Sequence, residues 1–139
     1  MIVLDTNVVS ELMRASPAEN VFDWVAGQPA QSLYITSISR AEIVHGILLL
    51  PAGRRRSAIQ AAAESMFSVE FGGRILPFEA SAARAYAKIA VDRRHAGRPI
   101  SSFDAQIAAI ALVARATLAT RNVSDFEGCG LKLMNPWSK

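Results

Sequence analysis

Four carboxylates stand where an apolar, strand-like run gives way to a helix or a turn: Asp5, Glu42, Asp104 and Asp125. Asp5 ends the run Met1-Ile2-Val3-Leu4, and Glu42 follows Leu33-Tyr34-Ile35-Thr36. Asp104 opens the apolar stretch Phe103 to Val113, and Asp125 comes after Thr117-Leu118-Ala119-Thr120. Ligands of open parallel sheets bind just beyond the carboxyl ends of the strands, so acids from distant parts of the chain can converge there. Carboxylates gathered in one small volume repel each other unless a cation sits among them. An all-oxygen donor set suits Mg²⁺ or Mn²⁺ and not zinc. The chemistry these residues suggest is therefore that of a hard divalent metal.

The elements that must position the acids alternate. Residues 2–5 read as a first strand, followed by helical pattern through Val8–Met13 and again around Val21–Val25. Residues 33–36 are a second strand. Ser39 is placed as the cap of a helix carrying Ile43, Val44, Ile47 and Leu48 on one face. Pro51-Ala52-Gly53 breaks that helix, and Arg54 to Phe67 starts another. A short strand over 74–78, an alanine-rich helix over 79–95, a helix over 102–115 and strands at 117–120 and 131–134 complete the order. The 102–115 helix is apolar almost all round, which predicts burial. Strands separated by helices predict an α/β fold, a mostly parallel twisted sheet between helical layers.

With 139 residues, 51% of them hydrophobic and 19% charged, the chain has the makings of one globular domain spanning 1–139. Its single cysteine, Cys129, excludes an intramolecular disulfide. No apolar run is long enough to span a bilayer, and Asp5 interrupts the first one at once; a cytoplasmic protein is expected. The net charge is +3, but setting aside the four acids leaves 15 basic against 8 acidic side chains. Arg54-Arg55-Arg56 and Arg93-Arg94-His95 with Arg98 form clusters. An acidic pocket in a basic surface suits metal-dependent cleavage of a polyanion, with Arg93, Arg94 and Arg98 as candidate phosphate contacts. The plainer account of such runs is a solvated helix face.

Each acid also has a purely structural reading. Ser39-Arg40-Ala41-Glu42 and Ser101-Ser102-Phe103-Asp104 have the form of capping boxes. Asp5 can cap a helix and Asp125 can order a turn. Four such coincidences at four corresponding places argue for a shared role, and a helix N-terminus holds a carboxylate rigidly in either case. His45 and His95 are read as surface residues, and Trp24 and Trp137 as packing or interface residues and not base-stacking platforms. There is no P-loop and no dinucleotide fingerprint. A dehalogenase-like phosphatase would carry D-x-D where this chain has Asp5-Thr6-Asn7, and a receiver domain would carry an acid pair that is missing.

Met1-Ile2-Val3-Leu4-Asp5-Thr6-Asn7-Val8-Val9-Ser10-Glu11-Leu12 resembles the opening of PIN-domain toxins, the VapC group, and especially its FitB-like branch. Ser37 to Ile43 with Gly46, Phe103 to Ala109, and Leu118 to Phe126 are similar to the family's later motifs, in order. Asn135-Pro136-Trp137 resembles its usual ending, so the likeness covers essentially the whole chain. The resemblance implies a PIN-like three-layer α/β/α fold and a Mg²⁺- or Mn²⁺-dependent endoribonuclease. Asp5 and Asp104 would be the principal metal ligands and Glu42 would complete the site. Asp125 would hold a second ion or orient the attacking water. Thr6, Asn7, Thr120 and Asn122 would be supporting donors around the carboxylates. It further implies an RNA substrate, a homodimer, and a small VapB- or FitA-like antitoxin with a DNA-binding domain, joined in a larger toxin–antitoxin assembly with no membrane contact. The alternatives are a PIN-fold interaction module without activity and a metal-dependent nuclease acting on DNA.

Overall fold

Short runs of branched apolar residues make the strands. In the computed structural model, which describes residues 1–138, they are β1 (Ile2–Leu4), β2 (Leu33–Thr36), β3 (Ile75–Leu76), β4 (Thr117–Ala119) and β5 (Leu133–Met134). They form one sheet in the order β3-β2-β1-β4-β5, and every pairing is parallel. The helices are α1 (Thr6–Leu12), α2 (Glu19–Ala26), α3 (Ser37–Leu48), α4 (Arg54–Ser65), α5 (Ala80–His95) and α6 (Ser102–Val113). A π-helical turn, Met66–Glu70, extends α4.

Successive strand side chains point to opposite faces, and the two cores follow from that alternation. Val3 and Leu118 face a cluster with Ile107, Ile110 and Phe126, built on α5 and α6. Their neighbours Leu4 and Ala119 face a second cluster with Val8, Val21, Ile43, Ile47 and Phe67. The result is a three-layer α/β/α sandwich with a parallel sheet in the middle, as the sequence predicts. Helix α6 is buried along Ala105 and Ile107–Ala111, also as its composition predicts.

Strand order decides where a site can form. The chain steps outward from β1 to β2 to β3, then crosses back to place β4 on the other side of β1. At that reversal the helices after β1 and before β4 lie on opposite faces, so a crevice opens beyond the carboxyl ends of these strands. Asp5 is the first residue past β1, and its backbone N–H donates to Ala119 O at 2.9 Å.

One helix start differs from expectation. Thr36, not Ser39, caps α3: its hydroxyl accepts from Ser39 N at 3.0 Å. The last residue of β2 already has the extended backbone that a cap requires. The helix therefore begins three residues early, and Ser39 becomes a fully buried helical residue.

Candidate active site

Asp5 is both helix cap and buried acid. It is 4% exposed, Oδ1 accepts from Thr6 N at 2.8 Å, and Oδ2 accepts from the Thr120 hydroxyl at 2.7 Å. Burial nevertheless pushes its pKa up to about 6; those two hydrogen bonds oppose the rise, and the charges of Asp104 and Glu42 add to it. Asp104 lies in the first turn of α6, behind the cap Ser101, whose hydroxyl accepts from Asp104 N at 3.2 Å. Its carboxyl is also held above the ordinary range, chiefly by burial. Ser101 and Arg93 pull it down, and the charge of Asp125 pushes it up.

Glu42 is held by a chain of hydroxyls and not by a capping box. Thr6 Oγ1 lies 2.8 Å from both Glu42 Oε1 and Ser39 Oγ. An ionised carboxylate only accepts. Thr6 therefore donates to Glu42, and Ser39 must donate to Thr6. Thr36 Oγ1, 3.4 Å from Ser39 Oγ, stands behind them. The Ser39-x-x-Glu42 spacing is real, but the two side chains meet through Thr6, 36 residues from Glu42 in sequence.

Asp5, Glu42 and Asp104 line one pocket of about 500 Å³. Asn7, Ser10 and Glu11 line it too, along one face of α1, with Arg14 just beyond the helix end. Their i, i+3, i+4, i+7 spacing is a polar helical stripe, a signal in the sequence for residues that motif reading passed over. Glu11 is 7% exposed, accepts from Ala18 N at 2.9 Å, and has its pKa lowered chiefly by that bond. Arg121, Asn122 and Trp137 close the other side of the pocket.

Asp125 sits apart from this lining, exposed on the 3₁₀ turn Val123–Phe126. Asn122, just before that turn, does line the pocket, and its N–H donates to Thr120 Oγ1 at 3.1 Å. The basic cluster separates. Arg93 is only 6% exposed; Nε donates to Arg98 O at 2.7 Å and Nη1 to Asp125 O at 2.6 Å. Carbonyls of the turn that follows α5 and of the Asp125 turn take its Nε and Nη1 donors, and its burial turns it away from the surface. Arg98 reaches Ser124 O at 2.9 Å and Glu127 at 3.4 Å, while Arg94 is exposed.

A hard cation fits this donor chemistry. The four acids of the pocket, Asp5, Glu11, Glu42 and Asp104, offer only oxygen, and two of them, Asp5 and Asp104, carry raised pKa values that a positive charge would relieve. Among the described residues no three His, Cys, Asp or Glu side chains stand close enough to ligate one ion together.

Beside the acid pocket runs a second, larger groove of about 1000 Å³ between α1, α3 and α4. Met13, Ile43, Ile47, Leu50, Ile59 and Ala62 make it apolar, and it shares Thr6, Ser10, Arg14 and Glu42 with the acid pocket.

Residues 2–127 match the PIN domain family. The chain belongs to that family. Its PIN domain is closely related to the VapC/FitB-type toxin components of toxin–antitoxin systems. It is 41% identical over 137 residues to plasmid stability protein StbB of Pseudomonas syringae pv. tomato, covering 99% of both chains. It is 41% identical to VapC ribonuclease Y4jK of Sinorhizobium fredii, covering 99% of this chain and 98% of that one. Among solved structures it superposes on a chain of FitAcB from Neisseria gonorrhoeae with a TM-score of 0.93 and 35% identity, over 100% of both chains.

Proposed function

We propose that this PIN domain, one unit across residues 1–139, is the toxin of a type II toxin–antitoxin pair. Its activity would be that of a Mg²⁺-dependent endoribonuclease, with Mn²⁺ able to substitute. The observation that carries the reading is Asp5: a carboxylate buried at the β1–β4 crevice, with the charges of Asp104 and Glu42 acting on it. The name of the relative VapC ribonuclease Y4jK supports the same activity.

Asp5 and Asp104 would hold the ion, and Glu42 would complete the site through a water. When bound, such an ion makes its water more acidic and offsets charge on the phosphoryl oxygens. The chain's own residues do the rest. Thr120 and the Thr6 N–H fix both oxygens of Asp5, and the Thr6 hydroxyl fixes Glu42. Neither carboxylate then has to reorganise as charge develops. Asn7 and Asn122 hold the backbone at the pocket's edge, through Arg121 N at 3.4 Å and Thr120 at 3.1 Å. Asp125 would orient the attacking water or hold a second ion. Attack by water, without help from a ribose 2′-hydroxyl, leaves a 5′-phosphate and a 3′-hydroxyl. Arg94 and Arg98 would contribute general phosphate attraction.

The partner would be a small VapB- or FitA-like antitoxin with a DNA-binding domain. One solved relative, 35% identical to this chain, is FitAB bound to an IR36 DNA fragment. The antitoxin's tail would lie in the apolar groove and carry an arginine or lysine into the acid pocket, since buried carboxylates need a positive partner in every state. Exposed Leu48, Leu49 and Val69 supply apolar surface for a homodimer in the cytoplasm. The deciding experiment is cleavage of RNA and of DNA by the purified protein, with and without Mg²⁺, followed by end analysis. RNA cut only with metal, leaving 5′-phosphates, is expected. Cleavage of DNA alone, or none of either, would overturn the reading.

A further inference from the structure

A pocket rich in carboxylates repels a polyanion, so a nuclease built on it needs a fixed positive group at the rim. Two arginines line the pocket, Arg14 and Arg121. Arg14 is committed: Nη1 lies 3.3 Å from both oxygens of Glu11. Arg121 is not. Among the described residues its guanidinium makes no salt bridge and no hydrogen bond, and it stacks over the Trp137 ring with Cζ 5.1 Å from the centroid. Its backbone is pinned on both sides. The N–H donates to Asn7 Oδ1 at 3.4 Å, and the carbonyl accepts from Asn135 Nδ2 at 3.4 Å.

Trp137 is itself anchored. Its N–H donates to Asn135 Oδ1 at 2.9 Å, its carbonyl accepts from Asn20 Nδ2 at 2.5 Å, and its ring packs against the α1–α3 core. An indole face under a guanidinium restrains the side chain and strips water from one of its faces. Arg121 is exposed, so its N–H donors stay open to solvent. A guanidinium is planar, permanently charged and matched to two phosphate oxygens at once.

We propose that Arg121, held over the Trp137 ring, is the residue that grips a backbone phosphate of the polynucleotide next to the one cut at Asp5 and Asp104. This rests on the nuclease reading above. Arg121 thereby sets where the strand enters the acid pocket, and Trp137 acts through Arg121 as its positioning residue. Trp137 is then more than the packing residue its sequence context suggests.

The test measures steady-state cleavage, and equilibrium binding in Ca²⁺, of a fluorescein-labelled 12-nucleotide mixed-sequence RNA. Wild type is compared with Arg121→Ala, Arg121→Gln, Arg121→Lys and Trp137→Phe. Arg121→Ala and Arg121→Gln should raise KM and Kd roughly tenfold, the scale of one charge-assisted contact, with kcat within about threefold. The dependence of log K on log salt should lose about 0.7 of slope, the share of one phosphate on a single strand. Arg121→Lys should keep the slope and lose part of the affinity. Trp137→Phe, which keeps a ring under the guanidinium, should stay within about threefold of wild type in Kd. Arg121 is exposed, so circular dichroism should show all its variants folded. Unchanged KM, Kd and slope in Arg121→Ala, with cleavage intact, would overturn the phosphate grip and leave the nuclease reading standing. A fall in kcat alone would also overturn it. If wild type neither bound nor cut the RNA, the nuclease reading would fail and the grip with it.

Discussion

The Thr120 hydroxyl donates to Asp5 Oδ2 at 2.7 Å, joining the ends of β4 and β1 across 115 residues of chain. Thr120 is fully buried, and its oxygen also accepts from Asn122 N at 3.1 Å. One hydroxyl therefore fixes the central carboxylate and the turn that leads toward Asp125. Thr120→Val keeps the shape and removes both bonds. A hydrogen bond to a charged group is worth about 1.5–3 kcal/mol, so stability should drop by roughly 2 kcal/mol in urea unfolding. Metal-dependent cleavage should fall with it. Stability within about 0.5 kcal/mol of wild type would show that the bond contributes little.

Asp5→Asn and Asp104→Asn should each abolish Mg²⁺-dependent cleavage while the protein stays folded. Each variant removes an anionic donor from the site. Cleavage by Asp5→Asn at the wild-type rate would rule out the metal-site assignment.

The raised pKa of Asp5 has a sign that can be checked. Folded Asp5 titrates near 6 against an ordinary 3.8, so between those values the folded state holds a proton that the unfolded chain has released. Stability of the metal-free protein must then fall as pH rises through that window, and the cost is fully present above about 6. The shift corresponds to at most about 3 kcal/mol. Glu11, with its lowered pKa, works in the opposite direction, so the clean quantity is wild type minus Asp5→Asn. Across pH 4–7 that difference should grow with pH to the disadvantage of wild type, and added Mg²⁺ should reverse it. A flat difference would mean that Asp5 titrates normally.

Arg93 ties α5 to the carbonyl of Asp125 from a buried position. Arg93→Lys keeps charge but loses the fork that reaches Arg98 O and Asp125 O, while Arg93→Met loses charge as well. Both should cost about 2–4 kcal/mol in denaturant unfolding, as expected when buried carbonyls lose their donor. Amide exchange over residues 122–127 should quicken in both. Unchanged exchange there would place the role of Arg93 elsewhere.

In a reconstituted complex with the cognate antitoxin, the basic residue of the antitoxin tail should be dispensable for assembly and necessary for silencing. Changing it to alanine should restore cleavage while the complex still elutes intact from a sizing column. On the proposed reading, anchoring would fall to the apolar groove and neutralisation to the charge. Persistent inhibition would mean that occlusion alone silences the site.

The sequence by itself determined the element order, the parallel three-layer architecture and the placing of Asp5 and Asp104 at helix starts. Those features are written in local signals: period-2 and period-3.6 patterning, caps and breakers, read within a few residues. Tertiary structure decided who touches whom. Ser39-x-x-Glu42 reads as a capping box, yet Thr36 caps the helix and Glu42 turns to Thr6, because β1 and β2 are neighbours and bring their ends together. Arg93 reads as part of an exposed basic run, yet the packing of α5 against α6 draws it inward, where distant carbonyls satisfy it. Arg121 and Trp137 carry no mutual signal 16 positions apart and meet only when β5 and the chain beyond it return to the pocket. Local pattern encodes which face of an element is apolar. The partner of a polar side chain is set by which strands become neighbours, and no window of sequence contains that.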